Sequence, residues 1–158
     1  MINRILMKGI IGVSIAFINI TTFATSIEGY WKSIDDRTSE QLAIVEIRKV
    51  EDGTYRGKTV YIYPSVRKGA DVTHCVNCPP PYTNKPRLGL EFMTQIIQDP
   101  KDPNNYINGK LLDPATGKIY KGKARLSSDG KRLKLRGYIG VSMLGRSIVW
   151  IRTNSPNP

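Results

Sequence analysis

Near the end of the chain, residues 136–152 read RGYIGVSMLGRSIVWIR, and this stretch decides the fold. It alternates polar and apolar side chains, carries three glycines and interleaves arginines with aromatic residues. The alternation predicts two β-strands, and the glycines predict a kinked corner between them. Gly29-Tyr30-Trp31 is a counterpart near the other end of the chain. A barrel whose first and last strands pair would bring Trp31 close to the arginines of this stretch.

Outward from this stretch, similar alternation predicts about eight strands, separated by turn signals such as Asp52-Gly53 and Asp129-Gly130. No long helix is indicated, and a proline-rich loop is predicted over 64–86. Short strands with frequent turns are typical of an antiparallel sandwich or barrel. We therefore expect an all-β fold, a small antiparallel meander barrel. The predicted strands are 28–34, 41–50, 54–63, 88–98, 106–112, 118–126, 132–139 and 147–153.

The first 26 residues have the pattern of a signal peptide. Arg4 and Lys8 precede an apolar run of about a dozen residues, which is shorter than the roughly 20 that a membrane span needs. Small residues follow as a cleavage site. The sequence thus predicts a signal peptide over 1–26 and a single domain over 27–158, periplasmic or secreted, with no membrane span in the mature chain.

The mature chain is strongly basic. Of 24 Lys and Arg residues, Arg4 and Lys8 would be removed, which leaves 22 against 13 Asp and Glu and gives a net charge of +9. In a cytoplasmic protein this charge would suggest nucleic acid. Export argues against nucleic acid and favours anionic lipid or glycan at the cell envelope. A basic surface without any partner is the alternative.

The two cysteines form a Cys75-x-x-Cys78 motif followed by Pro79. In an oxidising compartment the first interpretation is a local disulfide that stiffens its loop. A redox-active pair and a metal site with His74, the one histidine of the chain, are the alternatives. The prolines after Cys78 disfavour the helix that would activate a thiol, and a fourth metal ligand is missing.

Seven motifs follow one another along the mature chain. They are Gly29-x-Trp31, Asp35-Asp36, Cys75-x-x-Cys78-Pro79, Leu88-Gly89-Leu90, Asp113-Pro114-x-x-Gly117-Lys118-x-Tyr120, Arg136-Gly137-Tyr138-Ile139-Gly140 and Gly145-Arg146-x-x-x-Trp150-x-Arg152. Together they resemble a family of exported bacterial proteins catalogued as domain of unknown function 2147, and the resemblance covers nearly all of the mature chain. The resemblance implies a small lipocalin-like barrel and assigns no activity. In lipocalins, a Gly-x-Trp on the first strand lies under an arginine of the last strand, which matches Trp31 and Arg152 here.

No set of residues in the sequence forms a catalytic constellation, so we expect a protein that is not an enzyme and that uses no cofactor and no metal. The first hypothesis is a barrel that holds a small amphipathic ligand, with Tyr120, Tyr138 and Trp150 in its lining.

The second hypothesis is an envelope interaction protein that uses basic strands. A thiol or metal enzyme centred on Cys75, Cys78 and His74 is the third. Interior volume separates the first two, because a barrel packed solid leaves no room for a ligand. The oligomeric state stays open. The basic residues of the second hypothesis are Arg56, Lys58, Lys121, Lys123, Arg125, Arg132 and Lys134.

Overall fold

The computed structural model describes residues 26–64 and 73–158, and the predicted signal peptide lies almost wholly outside them. The described residues form eight antiparallel strands and one turn of 3-10 helix, Ser142–Leu144. Among them there is no helix long and apolar enough to span a membrane. The strands are β1 Gly29–Ile34, β2 Gln41–Lys49, β3 Tyr55–Ile62, β4 Glu91–Asp99, β5 Asp102–Leu112, β6 Ile119–Leu126, β7 Arg132–Tyr138 and β8 Gly145–Thr153.

Each strand pairs with the next along the chain, and β8 returns to pair with β1, so that the sheet closes into a barrel. This confirms the predicted all-β meander. The β7–β8 corner contains Gly140 at a φ of +69°, and the short 3-10 helix that follows was not predicted. The hairpins β2–β3, β4–β5 and β6–β7 lie at one end of the barrel, the closed end. The opposite end carries the β1–β2, β3–β4, β5–β6 and β7–β8 connections and is called the open end.

Two strands differ from the sequence prediction in instructive ways. The predicted loop over 99–105 is a tight turn in which Asp99 pairs with Asp102. Strand β5 therefore starts early, with Pro103 near its beginning, where a missing N–H is tolerated. In β4, Gln95 has a φ of +61°, and Met93 and Ile96 are both fully buried. Because of this irregularity two buried side chains of β4 lie three residues apart, a spacing that departs from the simple alternation of a strand.

Trp31 and Arg152 meet at the closed end, as partners in the β1–β8 register. The guanidinium carbon of Arg152 lies 4.3 Å from the ring centroid of Trp31, which is fully buried. Trp31 Nε1 donates a hydrogen bond of 2.8 Å to the carbonyl oxygen of Ile27. Arg152 donates to the carbonyl oxygens of Ser26, Glu28 and Gly130 at 2.6, 2.7 and 2.6 Å. The segment before β1 is thereby tied across this end of the barrel.

Glycines on the inner wall let large side chains fill the lower interior. A Cβ on Gly57 would lie 2.8 Å from Met93 Cε, and one on Gly109 would overlap Ile96 Cγ1. Met93 lies directly opposite Gly57 in the β3–β4 register, and Ile96 of β4 covers Gly109 on the neighbouring strand β5. The interior near the closed end is consequently packed.

We predict that Trp31→Ala lowers the free energy of unfolding by about 3 to 5 kcal/mol, because it empties a packed site. Arg152→Ala should cost about 2 to 4 kcal/mol, since it removes three charge-assisted hydrogen bonds to carbonyl groups. Urea denaturation of both single variants and of the double variant measures the coupling. The double variant should lose less than the sum, because the two side chains are in contact. Strict additivity would contradict this description of the closed end.

Candidate functional site

A cavity of about 1130 Å³ occupies the upper interior of the barrel and reaches the open end. Its deep wall is mostly apolar. The polar side chains of this deep wall are those of Ser33 and Thr59, and both are largely buried. The sequence leaves open whether the barrel holds a ligand or has a solidly packed interior. A free volume of this size leaves room for a ligand, which a solidly packed interior would exclude. The apolar side chains of the wall are Val45, Phe92, Leu111, Leu135, Ile148 and Trp150.

All three residues predicted to contact a ligand line this cavity. Tyr120 and Trp150 lie on the inward-facing side of β6 and β8. Tyr138 pairs with Lys121, outside the inward-facing row of Leu133, Leu135 and Gly137, so it contributes to the rim rather than the deep wall. That these residues bind a ligand stays a prediction.

Trp150 has one unusual feature. Its side chain is 2% exposed and packs edge-to-face on Phe92, with ring centroids 6.0 Å apart. Among the residues that the structure describes, its indole Nε1 is a buried donor with no hydrogen-bond partner. A buried polar group without a partner is uncommon and calls for an explanation. An indole N–H in the cavity wall is a candidate donor to a bound molecule.

The mouth of the cavity carries charges of both signs. Asp35 accepts hydrogen bonds from the backbone N–H groups of Arg37 and Thr38 and shapes the β1–β2 turn. Asp36 forms a two-point ion pair with Arg146, whose Nε lies 3.2 Å from Oδ2. Hydrogen bonding from Arg146 lowers the pKa of Asp36, and the same bond raises the pKa of Arg146. The pair therefore stays charged at neutral pH.

This ion pair spans the seam between the first and last strands. The β1–β8 pairing covers four residue pairs, from Tyr30↔Thr153 to Ser33↔Trp150, whereas β8 pairs with β7 as far as Gly145. The upper part of β8 thus extends beyond its pairing with β1. Arg146 reaches across this part of the seam to Asp36, at the rim of the cavity.

The cysteine loop packs against one side of the open end. Cys75 and Cys78 lie at disulfide-bonding distance, with Cα atoms 5.4 Å apart, and form a small second core with Leu90 and Leu112. Arg87 fastens this loop, because it donates to the carbonyl oxygen of His74 at 3.0 Å and to that of Pro114 at 2.8 Å. The loop is therefore attached to the β5–β6 connection rather than free of the barrel.

The thiol and metal hypothesis gains no support from this arrangement. His74 Nδ1 lies 2.8 Å from the hydroxyl of Thr73. Within 26–64 and 73–158 there is no group of three or more His, Cys, Asp or Glu side chains placed to hold a metal ion. Paired cysteines are also unavailable as thiolate ligands.

The basic residues singled out in the sequence fall into two groups. On β3, Arg56 lies near Asp52 and Glu91, and Lys58 pairs with Glu46 at 2.8 Å. The others lie on β6 and β7, where carboxylates are scarce; Arg125 pairs with Asp102 of β5 at 3.0 Å. The positive charge is thus concentrated on one side of the barrel. The β6–β7 group comprises Lys121, Lys123, Arg125, Arg132 and Lys134.

The model of a family described as "Uncharacterized protein conserved in bacteria (DUF2147)" matches residues 29–152. The chain belongs to this family. The match runs from the glycine that starts β1 to Arg152, so the DUF2147 region coincides with the closed barrel and includes both partners of its closing contact.

A solved structure extends the likeness of this DUF2147 protein to the lipocalin fold. Protein HP1028 from Helicobacter pylori, described as belonging to the lipocalin family, superposes with a TM-score of 0.67 at 18% sequence identity. The match covers 82% of this chain and 84% of HP1028. At this identity the likeness establishes the fold alone. A search of curated proteins gave no match.

The groups that frame the mouth are not predicted from the sequence. Asp35-Asp36 appears there only as one of the family motifs, and nothing in it indicates that Asp36 pairs with Arg146. These two residues are 110 positions apart, and no local pattern connects them. Arg87 was not singled out either. One signal in the sequence could have indicated the role of Arg146. It continues the alternating, inward-facing row of β8 that includes Ile148 and Trp150.

We predict that replacing Cys75 and Cys78 together by alanine costs no more than about 2 kcal/mol of unfolding free energy, because a disulfide that closes so short a loop restricts the unfolded chain little. Urea denaturation with and without reductant measures this. Local proteolysis between residues 73 and 90 should increase, since the pair holds the second core. A loss of more than about 4 kcal/mol would show that the loop is integral to the barrel.

Proposed function

We propose that this DUF2147 protein is an exported, periplasmic binding protein that holds a small amphipathic molecule in its barrel, and that it is not an enzyme. The observation that carries the proposal is the cavity with its apolar depth and charged mouth. The basic n-region and apolar run at the start of the sequence support export.

The cavity has the size expected of a ligand site. Small-molecule pockets usually measure about 300 to 1,000 Å³ and are lined mostly by apolar side chains with a few placed polar groups. At about 1130 Å³ this cavity lies just above that range. A molecule with an extended apolar body fits such a space better than a small polar metabolite, since a polar body would leave its groups without partners.

The distribution of polar groups orients the ligand. Apolar side chains surround the deep part, whereas Asp36, Arg87, Asp113 and Arg146 lie at the mouth. An apolar tail inside and a polar head at the mouth would satisfy both regions. The unpartnered Nε1 of Trp150 supports one further contact, a hydrogen bond to an oxygen within the body of the ligand.

The carboxylates of the cavity are better suited to structure than to catalysis. Asp35 shapes the β1–β2 turn, and Asp36 pairs with Arg146. Glu40 accepts a hydrogen bond from the hydroxyl of Thr38, and Asp113 accepts hydrogen bonds from Ala115 and Thr116 in its own turn. General acid or base catalysis needs a group free to exchange a proton with a substrate. This supports binding without chemical turnover.

We predict that the fluorescent amphiphile N-phenyl-1-naphthylamine binds inside the barrel and that Ala43→Phe weakens its binding. Ala43 lines the cavity, so a phenyl ring there occupies ligand space. We expect a loss of about 1 kcal/mol or more, which is about fivefold in Kd. Fluorescence titration at neutral pH measures the affinity, and circular dichroism verifies the fold.

The matched control is Arg48→Phe, which places the same ring at an exposed, outward-facing position of the same strand. The control should bind the dye as the wild-type protein does. Equal affinity in all three proteins would mean that the dye binds outside the cavity, and an absence of saturable binding to the wild type would contradict the proposal directly.

A further inference from the structure

The connection between β7 and β8 exposes an unusual amount of apolar surface. Ile139, Val141, Met143 and Leu144 are 61%, 61%, 89% and 78% exposed. We call these four side chains the apolar tip. Single exposed apolar residues are ordinary, but a cluster of large ones usually marks a surface that meets another molecule.

The apolar tip is held in place rather than loosely attached. Leu144 N–H donates to the carbonyl oxygen of Val141 at 3.1 Å, within the 3-10 turn. Arg136 donates to the carbonyl oxygen of Met143 at 3.0 Å and to the hydroxyl of Ser147 at 3.0 Å. The side chains of Ile139, Met143 and Leu144 also contribute to the rim of the cavity. The tip therefore presents its apolar groups beside the mouth.

A basic sheet surface adjoins the tip. On the outward-facing side of β5, β6 and β7, Lys110 lies opposite Lys121, and Arg125 opposite Lys134. Lys123 lies opposite Arg136, the residue that holds the tip. We call these six residues the basic face. Like charges placed directly opposite each other destabilise a sheet, so this arrangement is unfavourable for the isolated protein.

The basic face is poorly neutralised compared with the rest of the barrel. Strands β5 to β8 carry nine Lys or Arg residues and one carboxylate, Asp102, whereas β1 to β4 carry five Lys or Arg residues and three carboxylates. Among the described residues, no carboxylate lies within ion-pairing distance of Lys110, Lys121, Lys123 or Lys134. These four lysines therefore remain available to attract an anionic surface.

We propose that the apolar tip and the basic face together form a docking surface for an anionic phospholipid bilayer. Apolar side chains enter the boundary between head groups and acyl chains, and neighbouring cations attract anionic head groups. An acidic glycan would satisfy the cations but would offer no apolar environment to Met143 and Leu144. The combination of the two features favours lipid.

This docking orients the mouth of the cavity relative to the bilayer. Because the tip forms part of the rim, insertion of the tip turns the mouth towards the lipid. If the proposed function holds, an amphipathic molecule can then pass between bilayer and cavity with little exposure of its apolar part to water. The Asp36–Arg146 ion pair lies at the same rim, where it bridges the upper part of the seam between β1 and β8.

Co-sedimentation with vesicles tests the docking surface. Vesicles of phosphatidylcholine with phosphatidylglycerol are compared with vesicles of phosphatidylcholine alone. The wild-type protein should sediment with the anionic vesicles and stay in solution with the neutral ones. The Met143→Ser, Leu144→Ser double variant and the Lys121→Glu, Lys123→Glu double variant should each bind the anionic vesicles at least about tenfold more weakly.

The matched control is Lys101→Glu with Lys131→Glu, which changes the net charge equally but lies at the closed end. This variant should retain most of the binding. An equal loss of vesicle binding in the control would show that the net charge of the protein, and not the position of the lysines, causes the effect. That result would overturn the proposal. Full binding by the Met143, Leu144 variant would also overturn it and would point to purely electrostatic attraction, as to a glycan.

The docking surface and the ligand cavity can fail independently. Lys121 and Lys123 point outward, so their glutamate variant should still bind N-phenyl-1-naphthylamine in solution with unchanged Kd. Loss of vesicle binding with intact dye binding supports docking as a separate property. Loss of both vesicle binding and dye binding, with a lowered thermal midpoint of unfolding, would mean that the variant is misfolded. The Lys123→Gln variant then repeats the test with a smaller change.

Discussion

The contact of Arg152 with Trp31 is the constraint on which the rest of the structure depends. It fixes the register in which the last strand returns to the first, and a meander closes into a barrel only if these two strands meet. Burial lowers the pKa of Arg152, so this cation is held at some expense in hydration. Three carbonyl oxygens and the indole face offset that loss.

Closing one end determines what the other end can do. Glycines such as Gly57 and Gly109 admit Met93 and Ile96, which fill the interior above the closed end. The remaining volume is therefore displaced towards the open end, where the β1–β8 pairing stops and Arg146 reaches Asp36. An apolar cavity with a charged rim follows from this uneven filling. The binding role that we propose thus depends on packing that is completed far from the mouth.

The sequence was sufficient for the architecture because period-2 alternation and Asp-Gly turns are local signals. It was sufficient for the closing pair because the Gly-x-Trp motif and the terminal arginine resemble a known arrangement. The cavity could not be predicted from the sequence, since free volume depends on which side chain covers each inner glycine. Two local features could not be predicted either. They are the inward shift of Ile96, which the left-handed backbone at Gln95 causes, and the outward-facing position of Tyr138. The ion pair at the rim depends on a contact across the closed seam.

Native mass spectrometry of the protein isolated from its native cells tests the central claim most directly, namely that the barrel holds a small amphipathic molecule. We predict a stoichiometric adduct of one small molecule, which organic solvent extracts and which the Ala43→Phe variant retains far less. A bare polypeptide mass under mild conditions, or an adduct that Ala43→Phe leaves undiminished, would contradict it.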